Sequence, residues 1–311
     1  MKKISNKVLS LFLTGIIAFA TLAGCGQQGA KKGNETKKET TTASKKIGMI
    51  VSTLNNPFFV SMKEGAAKKA KEMGYELVIL DSQNDAAKER ANVEDLVQQG
   101  VSALIVNPTD SDAVGNAIKV ANDKKVPVLT VDRKANSGNV VSHIASDNIK
   151  GGNMAGEFIL EKLGGKANIV ELQGIPGASA TRDRGKGFHE AVDGKAGVKV
   201  VATQPADFDR QKGLNVMENI MQGNAKFDAV FAHNDEMALG AIKALKDKKV
   251  VIVGFDGNED AKKAVDEGKL TATIAQQPDL MGSLAVENAI KVIKGEKVAN
   301  EIPVDLKIIK K

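Results

Sequence analysis

The chain has 311 residues, 26% of them charged and 42% apolar, too polar for a protein of many membrane spans and too apolar for a disordered one. Its formal charge of +6 sits at the front: Lys2, Lys3 and Lys7 stand without an acid, and residues 26–46 set six lysines against Glu35 and Glu39, which leaves residues 47–311 at −1. A near-neutral body has no broad phosphate-binding surface, so nucleic acid is excluded as a partner.

Met1 to Lys7 is a short cationic segment, and Val8 to Ala23 is an apolar run too short to span a membrane comfortably. Residues 1–24 therefore read as a secretory signal. The run ends in Leu22-Ala23-Gly24-Cys25, which resembles the bacterial lipobox. On that reading Cys25, the sole cysteine, is lipidated and heads the mature protein; an incidental thiol is the alternative. Residues 25–45 carry no large apolar side chain and read as a flexible tether. The expected product is a lipoprotein on the outer face of the cell membrane, touching the bilayer through its anchor only. Without a second thiol its stability must come from the core.

From Ile47 onward, short apolar β-type runs alternate with amphipathic helical stretches. The first set of runs is 47–52, 77–81, 103–107, 126–131 and 140–145; the second is 167–172, 198–203, 228–232, 250–255 and 270–275. Continuous apolar strands separated by helices predict parallel sheets covered on both faces, hence two doubly wound α/β units. Pro57 opens the first helix, Asp85, Ser111 and Asn234 are the expected N-caps, and Gly74 and Gly100 close the first two helices. Gly164, Gly165, Gly174 and Gly177 read as turns.

The two sets echo one another. Residues 104–118 match 230–242 as strand, polar turn and helix, and Val126-Pro-Val-Leu-Thr-Val-Asp-Arg133 matches Val250-Val-Ile-Val-Gly-Phe-Asp-Gly257. Each half thus carries an aspartate, Asp132 or Asp256, at the carboxyl end of the corresponding strand, where open α/β sheets bind ligands.

No phosphate loop, metal cluster or nucleophile with its base stands at usable spacing, so neither cofactor nor metal is expected and the chain does not read as an enzyme. His143, His189 and His233 are far apart and read as surface or packing residues. The strand ends offer planar polar groups beside aromatics: Asn55-Asn56-Pro57-Phe58-Phe59, Asp132-Arg133, Asn234, Phe255-Asp256 and Gln276. A sugar suits this mixture, because its hydroxyls both donate and accept while its C–H faces pack on rings. Taken singly, the Phe pair also reads as a hydrophobic staple and Asp132-Arg133 as a surface ion pair.

The strings Val51-Ser-Thr-Leu-Asn-Asn-Pro-Phe-Phe59, Leu80-Asp-Ser-Gln-Asn84, Asn107-Pro-Thr-Asp-Ser-Asp-Ala-Val-Gly115, Ser142-His-Ile-Ala-Ser-Asp-Asn148 and Gln204-Pro-Ala-Asp-Phe-Asp-Arg210 resemble the D-ribose-binding family of bacterial ABC uptake systems. The likeness runs from about residue 47 to the C-terminus. It implies a type I periplasmic-binding-protein fold, with lobes of residues 46–146 plus 277–304 and 147–276 plus 305–311. Three crossings would form the hinge, near Ser146-Asp147, Gln276-Gln277 and Val304-Asp305. The implied sugar site is Asn56, Phe58, Phe59, Asp132, Arg133, Arg184, Phe208, Asn234, Phe255, Asp256 and Gln276, with Phe59 and Phe208 on opposite faces of the ring and the charged and amide groups on its hydroxyls. Arg184 and Phe208 enter through the resemblance alone; Arg184 otherwise reads as a helix-surface charge.

The implied function is reversible capture of D-ribose and its delivery to an ABC permease by a monomer, with a chemoreceptor as a second candidate partner. Capture of another monosaccharide or of a signalling furanose is the alternative within the same fold. A sugar-responsive repressor would carry an N-terminal helix-turn-helix in place of the signal and tether, and a sugar-processing enzyme would need a paired carboxylate site.

Overall fold

The structure is a computed structural model that describes residues 45–246 and 248–311. The signal, Cys25 and the tether as far as residue 44 lie outside the described residues.

The first sheet is built from β1 (Lys46–Val51), β2 (Glu76–Asp81), β3 (Ala103–Val106), β4 (Val128–Val131) and β5 (Ser142–Ser146), with α1 (Pro57–Met73), α2 (Ala86–Gln98) and α3 (Val114–Asp123) between them. After α4 (Asn148–Lys162) the second sheet follows: β6 (Ala167–Gln173), α5 (Ser179–Val192), β7 (Val198–Pro205), α6 (Arg210–Gln222), β8 (Ala229–Ala232), α7 (Asp235–Leu245), β9 (Val251–Asp256), α8 (Glu259–Asp266) and β10 (Ala272–Ala275). Then come α9 (Pro278–Ile293), β11 (Glu301–Val304) and β12 (Lys307–Lys310). The sheet orders are β11-β5-β4-β3-β1-β2 and β12-β10-β9-β8-β6-β7. Every pairing is parallel except β10 with β12.

The central strands β3, β4 and β8 are buried along their whole length, as apolar strands covered on both faces must be. In the first sheet, Met62 of α1 and Met281 of α9 pack on one face, and Leu96 of α2 and Ile118 of α3 on the other. In the second, Met217 and Met237 of α6 and α7 cover one face, and Ile159 and Phe188 of α4 and α5 the other.

Local signals explain most helix starts. Asn56 accepts from the Phe58 N–H with Pro57 at the first helical position, Asp85 accepts from Ala87 and Lys88, and Asn234 from Met237. Ser111 is a correction: α3 begins at Val114 with no side-chain cap, and Asp110 Oδ1 takes the N–H groups of Asp112 and Ala113. The Ser111 hydroxyl is engaged elsewhere, accepting from the Ser179 N–H at 3.0 Å. The run at 126–131 is trimmed to β4 because the Val126 N–H closes α3 on the Ala121 carbonyl, and Pro127 has no N–H. The strands β11 and β12 were not expected as strands; each is four residues long, and the pair holds Pro303, Glu301, Lys307 and Lys310, an edge-strand composition with little apolar run.

The chain passes between the sheets three times: after β5, after β10 and between β11 and β12. Ser146 ends β5 and Asp147 caps α4; Gln276 and Gln277 join β10 to α9; Val304 ends β11 and Asp305 follows it. Two of these passages touch, Gln277 Nε2 donating to the Asp305 carbonyl at 3.1 Å. Among the described residues no helix is long and apolar enough to cross a membrane.

Candidate functional site

The turns at the carboxyl ends of the two sheets face each other around a small, tightly lined cavity formed by Asn56, Phe58, Phe59, Asp132, Arg133, Ala180, Arg184, Phe208, Asn234 and Asp256. Nine of the eleven residues singled out from the sequence are therefore brought together. Phe255 does not line the cavity; it is fully buried in the second sheet's core. Gln276 reaches the group through Asp256, donating Nε2 to Oδ1 at 2.9 Å. The surface ion-pair reading of Asp132-Arg133 is corrected, since both side chains are buried.

Three of these residues hold backbone conformations that disfavour L side chains. Asp132 has φ +63°, Phe208 +61° and Asp256 +116°. Such geometry is uncommon for aspartate and strained for an aromatic residue, and it aims each side chain out of its strand or turn toward the cavity.

The polar groups are tied down from outside the cavity. Asp132 Oδ2 accepts from Asn107 Nδ2 at 3.1 Å and lies 3.7 Å from Arg133 Nε. Arg133 Nη1 donates to the Pro108 carbonyl at 3.1 Å. Arg184 Nε donates to Asn148 Oδ1 at 2.8 Å, its Nη1 donates to the His233 carbonyl, and Nη1 stands 3.7 Å from Asp256 Oδ1. Asn234 divides its amide between Met237 N–H and the Phe208 carbonyl. Phe59 and Phe58 meet edge to face at 5.2 Å between centroids. Arg133 lies 5.2 Å from the Phe59 ring and 5.2 Å from Phe208, and Arg184 lies 5.8 Å from Phe208.

Two buried acids and two buried arginines balance in charge, the condition under which burial of ions is tolerated. Burial pushes the Asp132 carboxyl up while Arg133 and Arg184 pull it back. Burial also raises Asp256 well above the usual carboxylate range, with Arg184 opposing. Both guanidiniums are shifted down by burial, against the attraction of the aspartates. Arg133 Nε and Gln276 Oε1 are buried without a hydrogen-bond partner among the described residues. Such an arrangement can hold a neutral, hydroxyl-rich molecule by charge-assisted hydrogen bonds.

Sequence reasoning gave no role to Asn107, Asn148 or Ala180, and no local pattern marks them. His143 and His233 are buried and His189 is partly exposed; no group of His, Cys, Asp and Glu suited to a metal ion occurs among the described residues.

Loops from the two sheets also meet directly. Ser111 N–H donates to the Gly177 carbonyl at 2.9 Å, and Lys134 N–H to Ser179 Oγ at 2.8 Å.

Comparison with known proteins places this geometry in context. A family model described as a periplasmic binding protein domain matches residues 47–297. The ribose import binding protein of Haemophilus influenzae is 60% identical over 270 residues, covering 86% of this chain and 92% of the relative. That of Bacillus subtilis is 51% identical over 308 residues, covering 97% of this chain and 98% of the relative. Among solved structures, an ABC transporter solute binding protein from Bacillus halodurans with bound myo-inositol superposes with a TM-score of 0.83 at 30% identity, covering 87% of this chain and 96% of that one. With a matching family model across most of its length, and relatives of this identity along nearly all of it, the chain belongs to the periplasmic binding protein family.

Proposed function

We propose that the protein captures D-ribose between its two sheets and hands it unaltered to an ABC permease. The observation that carries this reading is the charge-balanced set Asp132, Arg133, Arg184 and Asp256 converging with Phe59 and Phe208 on one cavity. The names of the relatives at 51–60% identity support ribose over other sugars. Phe59 and Phe208 take the ring faces, Phe58 packs beside Phe59, and Asn56, Asn234 and Gln276 join the charged groups on the hydroxyls. Phe255 contributes through Arg184.

Ribose has about ten heavy atoms, so a micromolar dissociation constant asks for roughly −0.8 kcal/mol per atom, within the limit for very small ligands. Capture works by closure. Only a closed form brings both sheets to the sugar, so sugar shifts the balance toward it. The lobes of residues 46–146 plus 277–304 and 147–276 plus 305–311 turn about Ser146, Asp147, Gln276, Gln277, Val304 and Asp305. The closed monomer presents both lobes to the permease, and a chemoreceptor is a second reader of the same form. Cys25 carries the lipid that holds it at the outer face of the membrane, with residues 1–24 removed as the signal.

Calorimetric titration with ribose, glucose, galactose and xylose tests the reading. Saturable heat with ribose at an affinity at least tenfold above the others is expected; no heat with ribose, or equal affinity for all four, contradicts it.

A further inference from the structure

Each cavity arginine is anchored from behind by a backbone carbonyl, and each carbonyl belongs to a turn gripped by a glutamate that does not line the cavity. In the first sheet Arg133 Nη1 donates to the Pro108 carbonyl, and the next residue, Thr109, donates its N–H to Glu89 Oε2 at 2.6 Å. In the second, Arg184 Nη1 donates to the His233 carbonyl, and the His233 ring Nε2 meets Glu171 Oε1 at 2.9 Å. Pro108 and His233 stand in corresponding turns, after β3 and after β8. The glutamates do not correspond, since Glu89 comes from α2 and Glu171 from β6. Each half takes the carbonyl from the turn after the corresponding strand, two residues past β3 in one case and one residue past β8 in the other, and a different element supplies its support.

Both glutamates are buried, 1% and 0% exposed. Burial raises Glu89 to about 7 despite the Thr109 hydrogen bonds. At Glu171 burial works against the charge as well, but the His233 hydrogen bond and nearby His189 outweigh it and hold the carboxyl below its ordinary range. A buried acid is expensive compared with an apolar residue of the same volume, and neither of these touches the cavity. Their shared geometric consequence is the placement of an arginine. A guanidinium is a rigid planar fork, so fixing Nη1 fixes the direction of its remaining donors, and hydrogen bonds weaken steeply when misaligned.

We propose that Glu89 and Glu171 are positioning residues for sugar recognition, each fixing the turn whose carbonyl aims a cavity arginine, Arg133 in one case and Arg184 in the other. The inference rests on the ribose reading above. The test is calorimetry with D-ribose on the whole protein, in a double-mutant cycle of Glu89→Ala with Arg133→Lys, and of Glu171→Ala with Arg184→Lys. Glu89→Ala is expected to weaken binding about tenfold in the wild-type background and to add nothing in the Arg133→Lys background. Glu89→Gln, whose amide oxygen still accepts from Thr109, is expected to keep affinity within about threefold, whereas Glu89→Asp, one methylene short, loses it. The Asp and Gln pair decides the matter should Glu89→Ala fail to fold. Losses that simply add across the cycle, or an unaltered affinity in both Glu89→Ala and Glu89→Asp, overturn the positioning role and leave ribose binding standing. Wild-type protein that gives no heat with ribose overturns the ribose reading and this inference with it.

Discussion

The Arg184 guanidinium stands 3.8 Å above the centroid of the Phe255 ring. That ring is therefore a floor beneath the arginine, and with Asn148 and the His233 carbonyl it fixes the cation before any ligand arrives. Groups already held in place cost little further ordering on binding. Arg184→Ala, and likewise Asp132→Ala, should reduce ribose affinity at least tenfold with circular dichroism unchanged. Calorimetry that finds wild-type affinity in both variants removes the site assignment.

Phe208 keeps its strained backbone beside a close neighbour. A Cβ on Gly174 would fall 2.0 to 2.4 Å from three atoms of the Phe208 ring, closer than any real contact. Gly174→Ala should therefore displace the ring and lose as much ribose affinity as Phe208→Ala, within about threefold. A Gly174→Ala protein that binds like wild type contradicts the placement of Phe208 at the sugar.

Closure has its own contact, away from the cavity. A Cβ on Gly177 would lie 1.8 Å from Asp110 Oδ2 of the opposing loop, beside the hydrogen bonds that Ser111 makes to Gly177 and Ser179. Gly177→Ala should hold the loops apart and reduce the closed population, and apparent affinity falls in proportion to that population. Competition and scattering on the variant should show weaker binding and a larger radius at matched ribose. Affinity equal to wild type rules out a role for this contact.

Acid should weaken the fold through His143. Burial lowers this imidazole from 6.5 to about 4, against the pull of Glu301, and its Nδ1 faces Thr130 Oγ1 at 2.8 Å. The folded state favours the neutral ring, so this contribution is fully present above pH 6.5 and is lost as pH falls from 6.5 through 4. The loss is about 3 kcal/mol at most. Urea unfolding at pH 7.5 and pH 5 should show a smaller acid loss in His143→Gln than in wild type. Equal losses contradict the assignment.

Much of the site could be read before the fold was seen, for reasons that lie in particular residues. Asp132 and Asp256 stand out because an internal repeat places both at strand ends, Asn234 because it is an expected N-cap after a strand, and Asn56 because it follows the first strand beside two phenylalanines. Arg184 has no such local mark: on α5 it looks like any helix-surface charge until the second sheet packs against it, and only likeness to known sequences singled it out. The groups behind the cavity, Asn107, Asn148, Glu89 and Glu171, are legible only from the tertiary arrangement, since their partners are 20 to 62 positions away in the chain. Ser111 misled because a serine before a helix is an ordinary cap, while here its hydroxyl serves Ser179. The last two strands escaped because four residues with charged ends and a proline carry no periodic signal.

Small-angle X-ray scattering of the purified protein during a D-ribose titration reads lobe closure without reliance on any single side chain. The radius of gyration should fall saturably as the lobes close on the sugar. A scattering profile that stays the same from zero to millimolar ribose contradicts it.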